Sequence, residues 1–176
     1  MRLILLAIVL LVPGFSRAET PYAGMQTRQV KALSDQQIAD LRAGRGMGLA
    51  LAAELNGYPG PSHVLELADQ LALRPDQHAK VQDMFAAMKS ETTPIGRKLV
   101  DEESELDEQF AGKTINPDSL RSATTAIAKT QGELREAHLK YHLLTYAVLD
   151  ETQLAKYAEL RGYAGAAPTR HHHHQK

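Results

Sequence analysis

Apolar residues recur at the spacing of long helices through the second half of the chain. After Pro75, one stripe follows three- and four-residue helical spacing through Val81, Phe85, Met88, Ile95, Leu99 and Leu106. A second stripe repeats every seven residues, at Leu120, Ile127, Leu134, Tyr141 and Val148. Gly112 and Asn116-Pro117 indicate a turn between the stripes. The pattern predicts two long antiparallel helices, and the first is expected to kink at Pro94 because its period continues on both sides.

Three shorter helices are predicted to flank this hairpin. They are expected over about residues 34–55, 63–73 and 150–162, where the N-caps would be Ser34, Ser62 and Asp150. The predicted fold class is all-α, a long kinked antiparallel helical hairpin with shorter flanking helices. Two long helices cannot cover each other's apolar stripes completely, so either the three short helices or a second chain must close the bundle, and a homodimer is expected.

The sequence Gly-Arg-Gly-Met-Gly at residues 44–48 falls inside the first predicted short helix. A phosphate-binding loop is not favoured, because no strand precedes these glycines and no Lys-Ser/Thr pair follows them. Gly44, Gly48 and Ala52 recur every four residues. We interpret them as a groove on the helix that another backbone can approach closely.

The first residues predict export. Arg2 precedes an apolar run from Leu3 to Val12, and Ser16 and Ala18 fit the small-residue pattern of a signal-peptide cleavage site. The run is shorter than the roughly 20 residues that a membrane-spanning helix needs, and an uncleaved anchor is the alternative. We expect a protein of the periplasm with four segments: a signal peptide at 1–18, a flexible N-terminal arm at 19–33, an all-helical domain at 34–163 and a flexible histidine-rich tail at 164–176.

Composition narrows the function classes. The chain contains no cysteine, which excludes disulfides, thiol chemistry and cysteine metal ligands. Its formal net charge is −1. Nucleic-acid binding would require a basic face or stripe, so no nucleic-acid partner is expected.

One short phrase occurs three times, as Leu-Ser-Asp-Gln-Gln (33–37), Leu-Arg-Pro-Asp-Gln (73–77) and Leu-Asp-Glu-Thr-Gln (149–153). In each, a leucine precedes a predicted helix and a glutamine falls on its first turn, which is typical of a hydrophobic staple with a capping box. With the export signal and the cysteine-free helical chain, these phrases resemble the Spy/CpxP family of periplasmic proteins and its Leu-Thr-x-x-Gln motif. The resemblance covers about residues 33–163, although Ser34, Arg74 and Asp150 stand where the motif has threonine.

The resemblance implies both a shape and a class of function. The same superfamily includes periplasmic heavy-metal sensors of the CnrX and ZraP type. A member is expected to be a cradle-shaped antiparallel dimer that acts as an ATP-independent chaperone, a stress sensor or a metal sensor, and not as an enzyme. Its partners would be unfolded or misfolded periplasmic proteins, or a membrane-bound sensor or regulator.

The histidines supply the candidate metal ligands. His138 and His142 are four residues apart on the second long helix, so their rings leave one face about 6 Å apart and can chelate one ion. Folding the hairpin at its turn brings His138 level with Glu91 and near Met88. His63 is a further candidate ligand. This donor set suits nickel, cobalt, copper or zinc, and the alternative is a pair of hydrogen-bonded core histidines.

Four more histidines, His171–His174, lie in the tail and can bind divalent metals by themselves, whether they are genomic or the remnant of a tag. Two hypotheses follow. The first is a periplasmic stress-response protein that senses or buffers a divalent transition metal. The second is an ATP-independent chaperone (holdase) without a specific metal site. No enzyme activity is predicted, because no catalytic constellation is present in the sequence.

Overall fold

The computed structural model describes residues 21–164. Within this range the chain is all-helical, as predicted. Its elements are a 3-10 turn (Met25–Thr27), α1 (Asp35–Arg42), α2 (Leu51–Glu54), α3 (Pro61–Glu66), α4 (Pro75–Ala111), α5 (Pro117–Tyr146) and α6 (Glu151–Leu160). The predicted signal peptide and the tail histidines lie outside the described residues. No helix between residues 21 and 164 combines the length and the apolar character needed to cross a membrane.

The hairpin of two long helices is confirmed. α4 has 37 residues and α5 has 30, and the two helices pack along one another. Both begin with a proline, Pro75 or Pro117, at a position where no intrahelical N–H bond is lost. Before α5, the Asn116 side chain accepts 3.0 Å hydrogen bonds from the backbone N–H groups of Asp118 and Ser119. α4 remains helical through Pro94, in agreement with the unbroken apolar period.

Two apolar clusters hold the helices together. The first lies among α1, α4 and α5 and consists of Val30, Ile38, Leu41, Leu99, Val100, Ile127 and Leu134. The second joins the turns around α3 to α4 and α6 and consists of Val64, Leu71, Val81, Leu149 and Tyr157. Val30 is fully buried, and the neighbouring Lys31 forms a 3.0 Å ion pair with Asp107. These two residues of the predicted N-terminal arm therefore pack against the helical domain.

The prediction of one helix over residues 34–55 is wrong. α1 ends at Arg42, and the chain turns through residues 43–50 before the single-turn helix α2. Gly44, Met47 and Gly48 have positive φ angles of 64°, 42° and 82°, which a right-handed helix does not contain. The close approach inferred at Gly44 is present, since a Cβ there would lie 2.6 Å from Thr92 Oγ1 on α4. It is made by a loop and not by a helix face.

The second short helix also differs from its prediction. α3 spans Pro61–Glu66 and is shorter than the expected 63–73, and its N-cap is Gly60 and not Ser62. Turns follow α3 as far as Ala72, whose φ is 47°. α6 begins after Asp150 as predicted, and the Asp150 side chain accepts a 2.9 Å hydrogen bond from the backbone N–H of Gln153.

The glutamines of the repeated phrase cap helices, as predicted, and two of them also join helices. Gln37, Gln77 and Gln153 each accept a hydrogen bond from the backbone N–H of their own N-cap residue. Gln77 and Gln153 are buried, and their amides donate to each other at 2.8 and 2.9 Å. Gln77 Nε2 also donates to the Val148 carbonyl at 2.8 Å. This glutamine pair ties the start of α6 to the start of α4.

We expect the replacement Gln153→Ala to lower the free energy of unfolding by about 2–3 kcal/mol, because it removes both buried hydrogen bonds between Gln77 and Gln153. The measurement is urea unfolding followed by circular dichroism. Gln37→Ala is the matched control, since Gln37 has the same capping role at an exposed position and its loss should cost about 1 kcal/mol or less. Equal losses in the two variants would contradict a stabilising role for the buried pair.

Two helical glycines should respond oppositely to replacement by alanine. A Cβ at Gly96 on α4 would lie 2.1 Å from the Leu41 carbonyl oxygen, so Gly96→Ala should lower the free energy of unfolding by about 3 kcal/mol or more. At Gly132 on α5 a Cβ would meet no atom within 4 Å. Gly132→Ala should therefore raise the free energy of unfolding by about 0.5–1 kcal/mol. Thermal and urea unfolding of both variants measure these changes, and a tolerated Gly96→Ala would contradict the close contact of α1 with α4.

Candidate functional site

A cavity of about 260 Å³ opens where three short segments meet the two long helices. These segments are the loop at residues 43–50, α2 and α3. Four of the five predicted metal ligands line it, namely His63, His138, His142 and Met88, and Glu54 joins them from the end of α2. We call this space the histidine cavity. The short helices and the loop thus bring Glu54 and His63 next to residues of α4 and α5 that are distant in the sequence.

Glu91, the fifth predicted ligand, is directed to other partners. Lys140 Nζ lies 2.7 and 2.8 Å from its two carboxylate oxygens, and the Tyr141 hydroxyl donates to Oε2 at 2.9 Å. The Lys140 hydrogen bonds hold the pKa of Glu91 below its usual value. The estimate that Glu91 lies level with this part of α5 was therefore close, but its carboxylate is not among the residues that line the histidine cavity.

Two glycines in the covering loops leave room for the two histidine rings of α5. His138 and His142 are 3% and 8% exposed. A Cβ at Gly46 would lie 3.5 Å from His138 Nδ1, and a Cβ at Gly60 would lie 2.9 Å from the His142 ring. Any larger residue at position 60 would displace His142. The glycines of both loops thus permit the backbone to cover the imidazoles.

The hydrogen bonds of these rings leave ring nitrogens available as ligands. His142 Nδ1 lies 2.7 Å from the Tyr58 carbonyl oxygen, so Nδ1 donates and Nε2 keeps its lone pair. His138 Nε2 is buried and has no hydrogen-bond partner among the described residues. Burial, and secondarily the nearby His142, lower the pKa of His138 and keep its ring neutral near pH 7. A neutral ring is the form that binds a metal ion.

Glu54 is a buried carboxylate at which several elements converge. Its Oε2 accepts a 3.2 Å hydrogen bond from the Gly60 backbone N–H, and its Oε1 accepts one from the Tyr157 hydroxyl of α6. His63 Nδ1 lies 3.3 Å from Oε1. Burial by itself would raise the pKa of Glu54, but the contacts with His63, Tyr157 and Gly60 outweigh it and lower the pKa to about 2. Glu54 is therefore ionised throughout the neutral range.

The last helix contributes the remaining neighbours of this carboxylate. Arg161 Nε lies 3.6 Å from Glu54 Oε1, and the Tyr163 hydroxyl donates to Oε1 at 3.4 Å. Burial raises the pKa of Tyr157 most, and the hydrogen bond to Glu54 raises it further. The Tyr157 hydroxyl therefore stays protonated and acts as a donor. The same oxygen therefore faces both the histidine cavity and α6.

The donor set fits a transition metal in chemistry and only partly in arrangement. No group of three or more His, Asp and Glu side chains within residues 21–164 is already arranged to hold an ion. Two ligands of a tetrahedral ion lie about 3.4 Å apart. The 3.3 Å separation of His63 Nδ1 and Glu54 Oε1 matches this spacing, and His63 Nδ1 is shielded from solvent without a hydrogen-bond partner among the described residues. His142 also lies near this pair, with its Nδ1 3.7 Å from Glu54 Oε2, so binding would require adjustment of the side chains that line the cavity.

Sequence reasoning missed Glu54 because the segment around it was assigned to a continuous helix. One signal was present. Glu54 is the only charged residue between Leu49 and Tyr58, in an apolar segment that ends at a Pro-Gly turn. A charged side chain in such a segment is buried with partners or is exposed by its helix phase, and here it is buried.

Comparisons with protein-family models, curated proteins and solved structures gave no match. The resemblance to the Spy/CpxP family therefore rests on the repeated phrases and on their order along the chain.

Glu54→Gln should make the stability less dependent on pH. A folded pKa near 2, against about 4.5 when unfolded, means that the ionised carboxylate stabilises the fold above about pH 4.5 and that this contribution is lost as the pH falls toward 2. The shift corresponds to about 3 kcal/mol at neutral pH. Urea unfolding at pH 7, 5 and 3 should show a large deficit of the variant at pH 7 that shrinks at pH 3. Glu105→Gln, at an exposed position of α4, is the control and should match the parent protein throughout.

Proposed function

We propose that this chain is an exported helical protein of the stress-response type that senses or buffers a divalent transition metal in the periplasm. One observation carries the proposal. Two ring nitrogens, His63 Nδ1 and His138 Nε2, are shielded from solvent without hydrogen-bond partners among the described residues, and both residues line one cavity with the ionised Glu54. Buried polar atoms normally have partners, and a bound water or ion is one explanation for a buried atom without one.

The bonding around His142 supports the same proposal. Metal-binding histidines commonly donate their second ring nitrogen to a backbone carbonyl, which fixes the tautomer and the orientation of the ring. His142 Nδ1 has such a bond to the Tyr58 carbonyl, and this leaves Nε2 for a ligand. The residues that would hold the ion are His63, His138, His142 and Glu54, with the Met88 thioether as a weaker donor.

The donor types favour nickel, cobalt, copper or zinc. Imidazole and thioether groups suit these ions, whereas calcium and magnesium require more oxygen ligands. The charges also agree, because the ionised carboxylate of Glu54 would partly neutralise a dication in the cavity. A bound ion would supply charge and cross-linking between α2, α3 and α5, which suits sensing or buffering and requires no catalysis.

A second candidate function is that of an ATP-independent holdase, and a specific surface favours it. Large apolar side chains are exposed on α2 and near the end of α5, at Leu51, Leu55, Leu143, Leu144 and Tyr146. These two elements contact each other, and the ring of Tyr58, after α2, lies 4.6 Å from the ring of Tyr146 at the end of α5. Such a surface can bind unfolded chains or a second copy of this chain, and a homodimer is part of the proposal.

Metal titration tests the first function. The protein is the full chain with the four tail histidines replaced by asparagine, and the probes are zinc, nickel and copper ions in calorimetry. We expect a Kd of about 1 μM or tighter for at least one ion, and at least a tenfold loss in His138→Ala and in His142→Ala. His78→Ala, an exposed histidine on α4, and Glu91→Ala are controls that should retain the parent affinity.

The opposite result would reject the internal site. If no ion binds at micromolar concentration, or if His138→Ala and His142→Ala bind as tightly as the parent, the histidine cavity is not a metal site. Suppression of client aggregation by the metal-free protein would then favour the holdase.

A further inference from the structure

We propose that the C-terminal half of α6 responds to occupancy of the histidine cavity, through Glu54 and Arg161. This inference rests on the proposed metal site and names its output.

Glu54 Oε1 lies between the histidine cavity and α6. This oxygen lies 3.3 Å from His63 Nδ1 on the cavity side. On the other side it accepts hydrogen bonds from the hydroxyls of Tyr157 and Tyr163 and lies 3.6 Å from Arg161 Nε. One carboxylate oxygen therefore has neighbours both in the cavity and at α6. A ligand on the cavity side would compete with the α6 donors for the lone pairs of this oxygen.

The guanidinium of Arg161 has few hydrogen bonds to keep it in place. Its Nε is buried without a hydrogen-bond partner among the described residues. Its other contacts are a 3.4 Å hydrogen bond to the Tyr163 hydroxyl and a position 5.8 Å from the centre of the Tyr163 ring. The attraction of the ionised Glu54 is thus a main reason for the guanidinium to stay where it is. A dication shared by His63 and Glu54 would cancel this attraction and repel the guanidinium.

Only one end of α6 depends on this charge. The N-terminal turn is anchored by the neutral Gln77–Gln153 pair, and neither glutamine lines the histidine cavity. The C-terminal half is packed into the second apolar cluster through Tyr157, with Tyr163 against it, and the charge at Glu54 adds to this packing. The polar anchors of the C-terminal half converge on Glu54. A helix of ten residues has little stability without such tertiary anchors, so loss of the charge attraction should loosen its last turn and leave its first turn in place.

Hydrogen exchange tests this inference. The probe is zinc, nickel or copper ion, whichever binds, added to the full chain with the tail histidines replaced by asparagine. We expect the backbone amides of Arg161, Gly162 and Tyr163, which now donate to carbonyls of α6, to exchange at least threefold faster with bound metal. Amides of the first turn of α6 should be unchanged or slower.

A charge-removing variant sharpens the test. In Arg161→Gln the repulsion is absent, so metal affinity should rise about three- to tenfold and the metal-dependent change in exchange should disappear. Arg135→Gln is the matched control, because Arg135 is an exposed arginine of α5 that does not line the histidine cavity. It should retain both the parent affinity and the parent exchange response.

The outcomes separate the two proposals. Metal binding without faster exchange at the end of α6, or with unchanged affinity in Arg161→Gln, would overturn the coupling and leave the metal site standing. Absence of any binding would overturn both. Faster exchange throughout α6, including its first turn, would also contradict the coupling, because it would indicate general destabilisation by the metal.

Discussion

The arrangement of the short elements depends on one constraint, the need to satisfy the buried carboxylate of Glu54. An unpaired carboxylate at 5% exposure would cost several kcal/mol, so the surrounding chain must bring donors to it. Donors come from the Gly60 backbone N–H before α3 and from the Tyr157 hydroxyl on α6, and His63 on α3 lies 3.3 Å from Oε1. The same requirement positions α2, α3 and α6 relative to one another over the surface of the hairpin.

The histidine cavity follows from the same convergence. The α4–α5 hairpin provides a rigid surface that carries His138 and His142, and the loops around α2 and α3 close over it. The loops can approach the His138 and His142 rings closely because Gly46 and Gly60 have no side chains to collide with them. The site thus combines two imidazoles fixed on a long helix with His63 and Glu54 on short elements. Ligands on short elements can adjust their positions at lower cost than ligands on the hairpin.

The sequence predicted the hairpin and part of the site for identifiable physical reasons. Regular periodicity and proline-opened starts are local signals, and they gave α4 and α5 almost to the residue. The four-residue spacing of Gly44 and Gly48 fits a helix and therefore predicts one. Their positive φ angles, which spacing does not reveal, show that the segment is a loop. The sequence indicates Glu91 as a ligand because register along a hairpin can be counted from its turn. Neither the capture of Glu91 by Lys140 nor the return of α2 to the cavity can be counted in that way.

The three Leu-x-x-x-Gln phrases separate local from tertiary roles. All three glutamines cap their own helices, but only Gln77 and Gln153 are buried and paired, because only the starts of α4 and α6 meet in the fold. This pair is neutral, and it holds the first turn of α6 whatever charge lies in the cavity. The other end of α6 is held by Tyr157 in the second apolar cluster and by the attraction between the Glu54 carboxylate and the Arg161 guanidinium, and this attraction depends on that charge. One helix therefore has a fixed end and a responsive end, and the difference arises from the chemistry of its two anchors.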